Sequence, residues 1–117
     1  MENPTVAKSS AKAESMRGAL DLLVLRVLSS GALHGYGIAR RIRELTDDAL
    51  RIEEGSLYPA LYRMERAGWV SASWGKNDNN RRVRLYGLTP HGERQLAAEL
   101  TGWGNFTRAV AKVVEST

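Results

Sequence analysis

The sequence contains no cysteine and only two histidines, so disulfide bonds, thiolate metal sites and thiol catalysis are excluded. His34 and His91 lie far apart along the chain without a neighbouring cluster of carboxylates, and we expect no metal site. No Ser, His and Asp arrangement suggests a nucleophile, and no glycine-rich phosphate loop is present. The sequence therefore predicts a protein that is not an enzyme and that needs no cofactor.

Long apolar runs are also absent. No segment approaches the roughly 20 apolar residues that span a bilayer, and residues 1–15 lack the apolar centre of a secretory signal. We expect a cytoplasmic protein with no membrane partner. The length of 117 residues supports one compact fold with a modest core. The polar residues 1–15 are expected to form a flexible N-terminal arm.

Positive charge is modest in total but concentrated in places. The formal net charge of +4 permits a polyanionic partner without proving one. The arginines fall into three groups, which are Arg40, Arg41 and Arg43, then Arg63 and Arg66, then Arg81, Arg82 and Arg84. Clusters of this kind are typical of surfaces that bind nucleic acid.

The segment from Glu54 to Gly68 has the period of a helix with two chemically different faces. The apolar face holds Leu57, Ala60, Leu61, Met64 and Ala67. The opposite face holds Pro59, Tyr62 and Arg66, with Tyr58 and Arg63 on the flanks. Pro59 is tolerated in the first turn, and Gly68 suits the C-cap. Phenols and guanidinium groups on the outer face indicate a recognition surface.

The neighbouring segments complete a winged helix-turn-helix. Helices are predicted over residues 17–30 and 35–46, before the helix that starts at Glu54. A hairpin is predicted to pair Trp69–Trp74 with Arg82–Leu88, and both of its tryptophans are expected to pack onto the helices. Thr89 and Pro90 are a helix-start signal for a last helix to about Val114. The expected fold is mainly α with a small β-hairpin, divided into a winged helix over residues 16–89 and a C-terminal dimerisation helix over 90–117.

This arrangement predicts binding to double-stranded DNA. The helix from Glu54 to Ala67 would enter the major groove while the hairpin grips the flanking backbone. The candidate DNA-binding residues are Tyr36, Ser56, Tyr58, Pro59, Tyr62, Arg63, Lys76, Asn80, Arg81, Arg82 and Arg84. Several alternatives remain open: Ser56 as an N-cap, tyrosines packed on the hairpin, arginines paired with Glu65 or Glu44, and charge that protects an edge strand. An acidic protein is the alternative partner for the whole surface.

Apolar residues on two helices predict a homodimer. Leu22 and Leu25 lie off the core stripe of the first helix, and the last helix carries a seam with coiled-coil-like spacing. The candidate interface residues are Leu22, Leu25, Leu96, Leu100, Trp103, Phe106 and Val110. Trp103 lies between Gly102 and Gly104, and two interpretations remain open. It is either a packed interface anchor or one wall of a pocket for a small aromatic ligand.

Several motifs together resemble the PadR family of bacterial transcriptional regulators, closest to the subgroup often labelled acidobacterial PadR-like. These motifs are Gly18–Leu25, His34–Ile38, Gly55–Leu61, Gly68–Trp69, Asn79–Tyr86 and Leu88–Gly92. The resemblance covers residues 16–114 and implies a homodimeric repressor of nearby genes, bound to a pseudo-palindromic operator and associated with the nucleoid. The short tail implies a single C-terminal dimerisation helix. Some members of the family release DNA on binding phenolic or aromatic compounds. MarR-type and ArsR-type regulators are the nearest alternatives in architecture.

Overall fold

The computed structural model describes residues 18–116, and within them four helices accompany one three-stranded antiparallel sheet. The elements in chain order are α1 (residues 18–28), β1 (Leu33–His34), α2 (Gly35–Leu45), α3 (Glu54–Arg66), β2 (Val70–Lys76), β3 (Arg82–Leu88) and α4 (Pro90–Val114). The predicted mainly helical winged-helix class is confirmed. The predicted N-terminal arm, residues 1–15, lies outside the described residues.

The core forms around α1. Apolar side chains of α1, α2 and α3 make one cluster that also includes Val70 and Tyr86 from the sheet and Leu96 from α4. Between positions 21 and 28 of α1, only Leu23 and Arg26 are not buried. A helix buried on most of its circumference needs apolar residues all round. This explains why α1 has apolar residues beyond a single stripe.

This burial contradicts part of the predicted dimer interface. Leu22 and Leu25 are 8% and 0% exposed, so the prediction that they face a partner subunit is wrong. Leu96 is 7% exposed and packs in the same core, so it also lies outside any seam between subunits. The physical reason is that the first turns of α4 and both apolar sides of α1 are covered by the chain's own elements.

The sheet has the strand order β1, β3, β2, and β1 is a strand that the sequence pattern does not reveal. It pairs Leu33 with Tyr86 and His34 with Leu85. The hairpin is longer than predicted, because β2 continues to Lys76 opposite Arg82. The turn beyond it is held by the Asn77 side chain, whose Oδ1 accepts hydrogen bonds from the backbone N–H groups of Asn79 and Arg81.

An ion pair fixes α3 against α1. Arg63 donates from Nη1 and Nη2 to the two carboxylate oxygens of Asp21, at 2.7 and 2.9 Å. The Asp21 side chain is 5% exposed and that of Arg63 is 36% exposed. The hydrogen bonds to Asp21 and its negative charge raise the pKa of Arg63, while burial opposes that shift. Arg63 therefore serves the fold through this contact, and its expected contact with DNA, which would compete with Asp21, stays a prediction.

Replacing Arg63 with Ala should lower the free energy of unfolding by about 2–3 kcal/mol, because the buried Asp21 carboxylate would lose both charged donors. Asp21→Ala should cost only about 1 kcal/mol, because Arg63 retains access to water. Urea unfolding at one protein concentration and neutral pH measures both variants. Equal losses, or a larger loss in Asp21→Ala, would contradict this description of the pair.

Candidate nucleic-acid interface

The outer face of α3 presents several hydroxyl groups. Tyr62 is 61% exposed, and Ser56, Tyr58 and Pro59 are exposed as well. The helix begins at Glu54, with Glu53 as its N-cap residue, so Ser56 lies inside the first turn and is not the N-cap. Its hydroxyl has no hydrogen-bond partner among the described side-chain contacts and faces solvent.

A cation accompanies the phenol of Tyr62. Arg66 Nη1 donates to the Tyr62 hydroxyl at 3.1 Å, and the guanidinium carbon lies 5.7 Å from the centre of the tyrosine ring. Both side chains are exposed, and they occupy successive turns of the same face. This pair places a hydroxyl and a positive charge side by side on the surface of α3.

Tyr58 packs at the start of α2. A β-carbon at Gly35 would lie 2.7 Å from the Tyr58 hydroxyl oxygen, so only glycine leaves room for this ring. The two tyrosines Tyr36 and Tyr58 line one concavity of about 370 Å³ together with Trp74, Arg82 and Tyr86. Burial raises the pKa of Tyr86, and the charge of nearby Arg84 opposes that shift. The concavity joins α2, α3 and the hairpin into one surface.

The hairpin formed by β2 and β3, which we call the wing, carries four cations, Lys76, Arg81, Arg82 and Arg84. The Arg82 guanidinium lies over the Trp74 indole, 4.2 Å from the ring centre. Trp74 is 61% exposed, so the expectation that it packs onto the helices is wrong, whereas Trp69 does pack against the core. Arg84 differs from Arg82, because its Nη2 donates to Glu65 Oε2 on α3 at 3.0 Å.

The tip of the wing is exposed and polar. Lys76, Asn80 and Arg81 lie there, and Asn80 adopts a left-handed conformation with φ of 61°. Within residues 18–116, no carboxylate lies within ion-pair distance of Lys76, Arg81 or Arg82. The candidate residues therefore divide into groups on the outer face of α3, at the concavity and at the wing tip. Arg63 lies on the inner side of α3, where it pairs with Asp21.

Two carboxylates that organise this surface were not assigned these roles from sequence. Asp21 is the lone acidic residue within the apolar run of α1, a pattern that signals a buried cation partner. Glu65 carries no comparable signal, because acidic residues are common on exposed helix faces.

The second half of α4 has an exposed apolar face. Leu100, Trp103, Phe106 and Val110 are all exposed, and the rings of Trp103 and Phe106 lie 5.8 Å apart at a tilt of 37°. Among the predicted interface residues, these four are the ones that other parts of residues 18–116 do not bury. In the same residues, 18–116, no helix is long and apolar enough to cross a membrane, and no group of three potential metal-ligating side chains is found.

Comparison with known proteins identifies the family. Residues 24–98 match the family described as "Transcriptional regulator PadR-like family". The transcriptional regulator Rv3488 of Mycobacterium tuberculosis is 29% identical over 97 residues, which cover 83% of this chain and 87% of that protein. A transcriptional regulator from Clostridium thermocellum has a similar structure, with a TM-score of 0.76, 29% identity, and coverage of 85% of this chain and 93% of the other.

A PadR family transcriptional regulator from Eggerthella lenta covers nearly the whole chain. Its TM-score is 0.71 at 28% identity, with 97% of this chain and 96% of the other aligned. The family match and the shared fold agree with the surface described above. The chain belongs to the transcriptional regulator PadR-like family, and it is a DNA-binding winged-helix regulator.

Proposed function

We propose that this regulator acts in the cytoplasm as a homodimeric repressor of nearby genes and binds a pseudo-palindromic operator. The observation that supports DNA binding is that two surfaces, the outer face of α3 and the wing, lie side by side. The exposed hydroxyls of α3 lie beside a wing on which Lys76, Arg81 and Arg82 have no ion-pair partner among residues 18–116. Uncompensated cations next to a polar helix suit a duplex, because phosphates neutralise the charge while base edges meet the hydroxyls.

In this proposal α3 lies in the major groove. Ser56, Tyr58, Pro59 and Tyr62 face base edges or phosphates, and Tyr36 reaches the backbone from the start of α2. The wing tip, with Lys76, Asn80 and Arg81, approaches the neighbouring phosphates. Charge at the wing contributes to affinity for every duplex, whereas the hydroxyls of α3 contribute to the choice of sequence.

The dimer in this proposal forms through α4. Its apolar residues Leu100, Trp103, Phe106 and Val110 are exposed in the single chain and would lose water contact against a second copy, and the coiled-coil-like spacing suits another helix. A symmetric pair of winged helices can meet two half-sites about one turn of DNA (~34 Å) apart. Repression then follows if the operator overlaps a promoter, since a bound dimer excludes polymerase.

Tyr62→Ala should act mainly on sequence preference, because it removes a hydroxyl and ring from the outer face of α3 and no charge. We expect affinity for the preferred duplex to fall about tenfold, with affinity for an unrelated duplex and the salt slope nearly unchanged. Fluorescence anisotropy over a salt series measures all three quantities. The preferred duplex can be selected from random sequence with the parent protein.

The same assay distinguishes the two candidate partners, double-stranded DNA and an acidic protein. A synthetic polyglutamate of matched charge is the control, and the parent should bind it much more weakly than the duplex. Equal binding to both would favour the protein-interaction alternative. Equal losses on both duplexes in Tyr62→Ala would contradict the role given to α3.

Leu100→Glu should dissociate the dimer and weaken operator binding together, because it buries a carboxylate in the proposed seam and both half-sites must be engaged. Thr101→Glu, on an exposed position one residue further along α4, is the matched control and should leave the dimer intact. Sedimentation velocity at micromolar concentration measures the oligomeric state. A parent protein that is monomeric at that concentration would contradict the proposed dimer.

We propose Trp103 primarily as a packed anchor of the dimer interface. The alternative role is one wall of a pocket for a small aromatic effector. Trp103→Leu should weaken the dimer, because stacking of indoles is worth about 0.5–1.5 kcal/mol beyond the area buried. A panel of planar aromatic compounds, tested on the parent and the variant, examines the effector role. If a compound binds the parent and releases DNA, and Trp103→Leu abolishes this while remaining dimeric, Trp103 forms part of a ligand pocket.

A further inference from the structure

The two arginines of β3 that share a face of the wing have different partners. Arg82 stacks on Trp74 within the wing, whereas Arg84 reaches out of the wing to Glu65 on α3. Residues two apart on a strand lie on the same face, so the difference comes from their depth along the hairpin. Arg84 is opposite Trp74, and Arg82 is opposite Lys76 at the end of the strands.

Arg84 lies where the sheet narrows from three strands to two. The third strand, β1, pairs with β3 only at Leu85 and Tyr86. Arg84 is therefore the first residue of β3, going toward the tip, where the sheet has only two strands. Two-stranded hairpins are marginally stable alone. The contact from Arg84 to α3 thus lies at the base of the part of the wing that β1 does not support.

We propose that the Glu65–Arg84 ion pair, here named the wing–helix pair, positions the wing relative to α3 for DNA binding. This proposal rests on the proposed function, in which α3 and the wing engage one duplex. Arg84 is then a positioning residue that acts through Glu65. Arg82, which has no carboxylate partner among residues 18–116, is the β3 cation that meets the phosphates.

Electrostatics supports this division between the two arginines. Arg84 Nη2 lies 3.0 Å from Glu65 Oε2, and Arg84 would have to give up this contact to bind a phosphate. The Glu65 carboxylate would then lie unpaired near the DNA backbone. Arg82 can meet a phosphate without breaking an ion pair, and its stacking on Trp74 limits the conformations that it loses on binding. The side chains of Arg84 and Glu65 are 49% and 33% exposed, so their pair adds little to the stability of the fold.

The test compares Arg84→Gln, Glu65→Gln, the double variant and Arg82→Gln on the preferred and an unrelated duplex over a salt series. Arg84→Gln and Glu65→Gln should each lower the ratio of specific to non-specific affinity by about two- to fivefold, and the double variant no further. Arg84→Gln should leave the salt slope unchanged. Because the proposed dimer carries two copies of Arg82, Arg82→Gln should reduce that slope by about 1.8 on both duplexes. Arg84→Lys should restore most of the ratio.

A readout without DNA tests the positioning directly. Amide hydrogen exchange in β2 and β3 should be faster in Arg84→Gln and Glu65→Gln than in the parent, with exchange in α4 unchanged. Equal exchange in all three proteins overturns the proposal. It is also overturned if Arg84→Gln lowers the salt slope as much as Arg82→Gln does, or if the two single variants have additive effects. Failure of the proposed function gives a different result, since the parent itself would then show no salt-dependent binding to a duplex.

Discussion

The position of α3 depends on its packing against helix α1, in which most residues between positions 21 and 28 are buried. That packing ends in one polar contact, the bidentate pair between Arg63 and the buried Asp21. The pair allows α3 to turn its apolar residues Leu57, Leu61 and Met64 inward at a fixed rotation about its own axis. The same rotation sends Ser56, Pro59 and Tyr62 to the outside. The surface that we propose to meet DNA is therefore a consequence of how the core is closed.

The arginines of this chain have different contacts and roles, which their clustering in the sequence does not distinguish. Arg63 joins α3 to α1 through Asp21, and Arg84 joins the wing to α3 through Glu65. Arg66 and Arg82 lie against aromatic rings on the exposed surface. A count of basic residues in the sequence thus overestimates the number of cations that are available to a polyanion. The partners of each guanidinium decide which of them remain free.

Much of the fold follows from local patterns in the sequence. The bounds of α2, α3 and α4 were predicted to within one residue at their ends, because periodicity, Pro90 and Gly68 mark them clearly. Strand β1 was missed because two residues are too few to show any period. Leu22 and Leu25 were placed outward because a helical wheel cannot tell which apolar side of α1 is covered. The tertiary arrangement covers both.

The candidate site was less predictable than the fold for a related reason. The side chains that face outward on α3 follow from its period, and Ser56, Tyr58, Pro59 and Tyr62 are exposed as expected. The partners of the arginines do not follow, because Asp21 is 42 residues from Arg63 and Glu65 is 19 residues from Arg84. Contacts at such separations depend on how the elements pack. No local pattern encodes them.

Chemical footprinting of the complex with the selected duplex tests the central claim most directly, because it reports which groove each surface occupies. Dimethyl sulfate methylates guanine N7 in the major groove and adenine N3 in the minor groove. The account predicts two clusters of protected guanines about one helical turn (~34 Å) apart, as α3 enters the major groove at each half-site. Tyr62→Ala should weaken that protection. A complex with unprotected guanine N7 atoms, or with a single protected cluster, would contradict it.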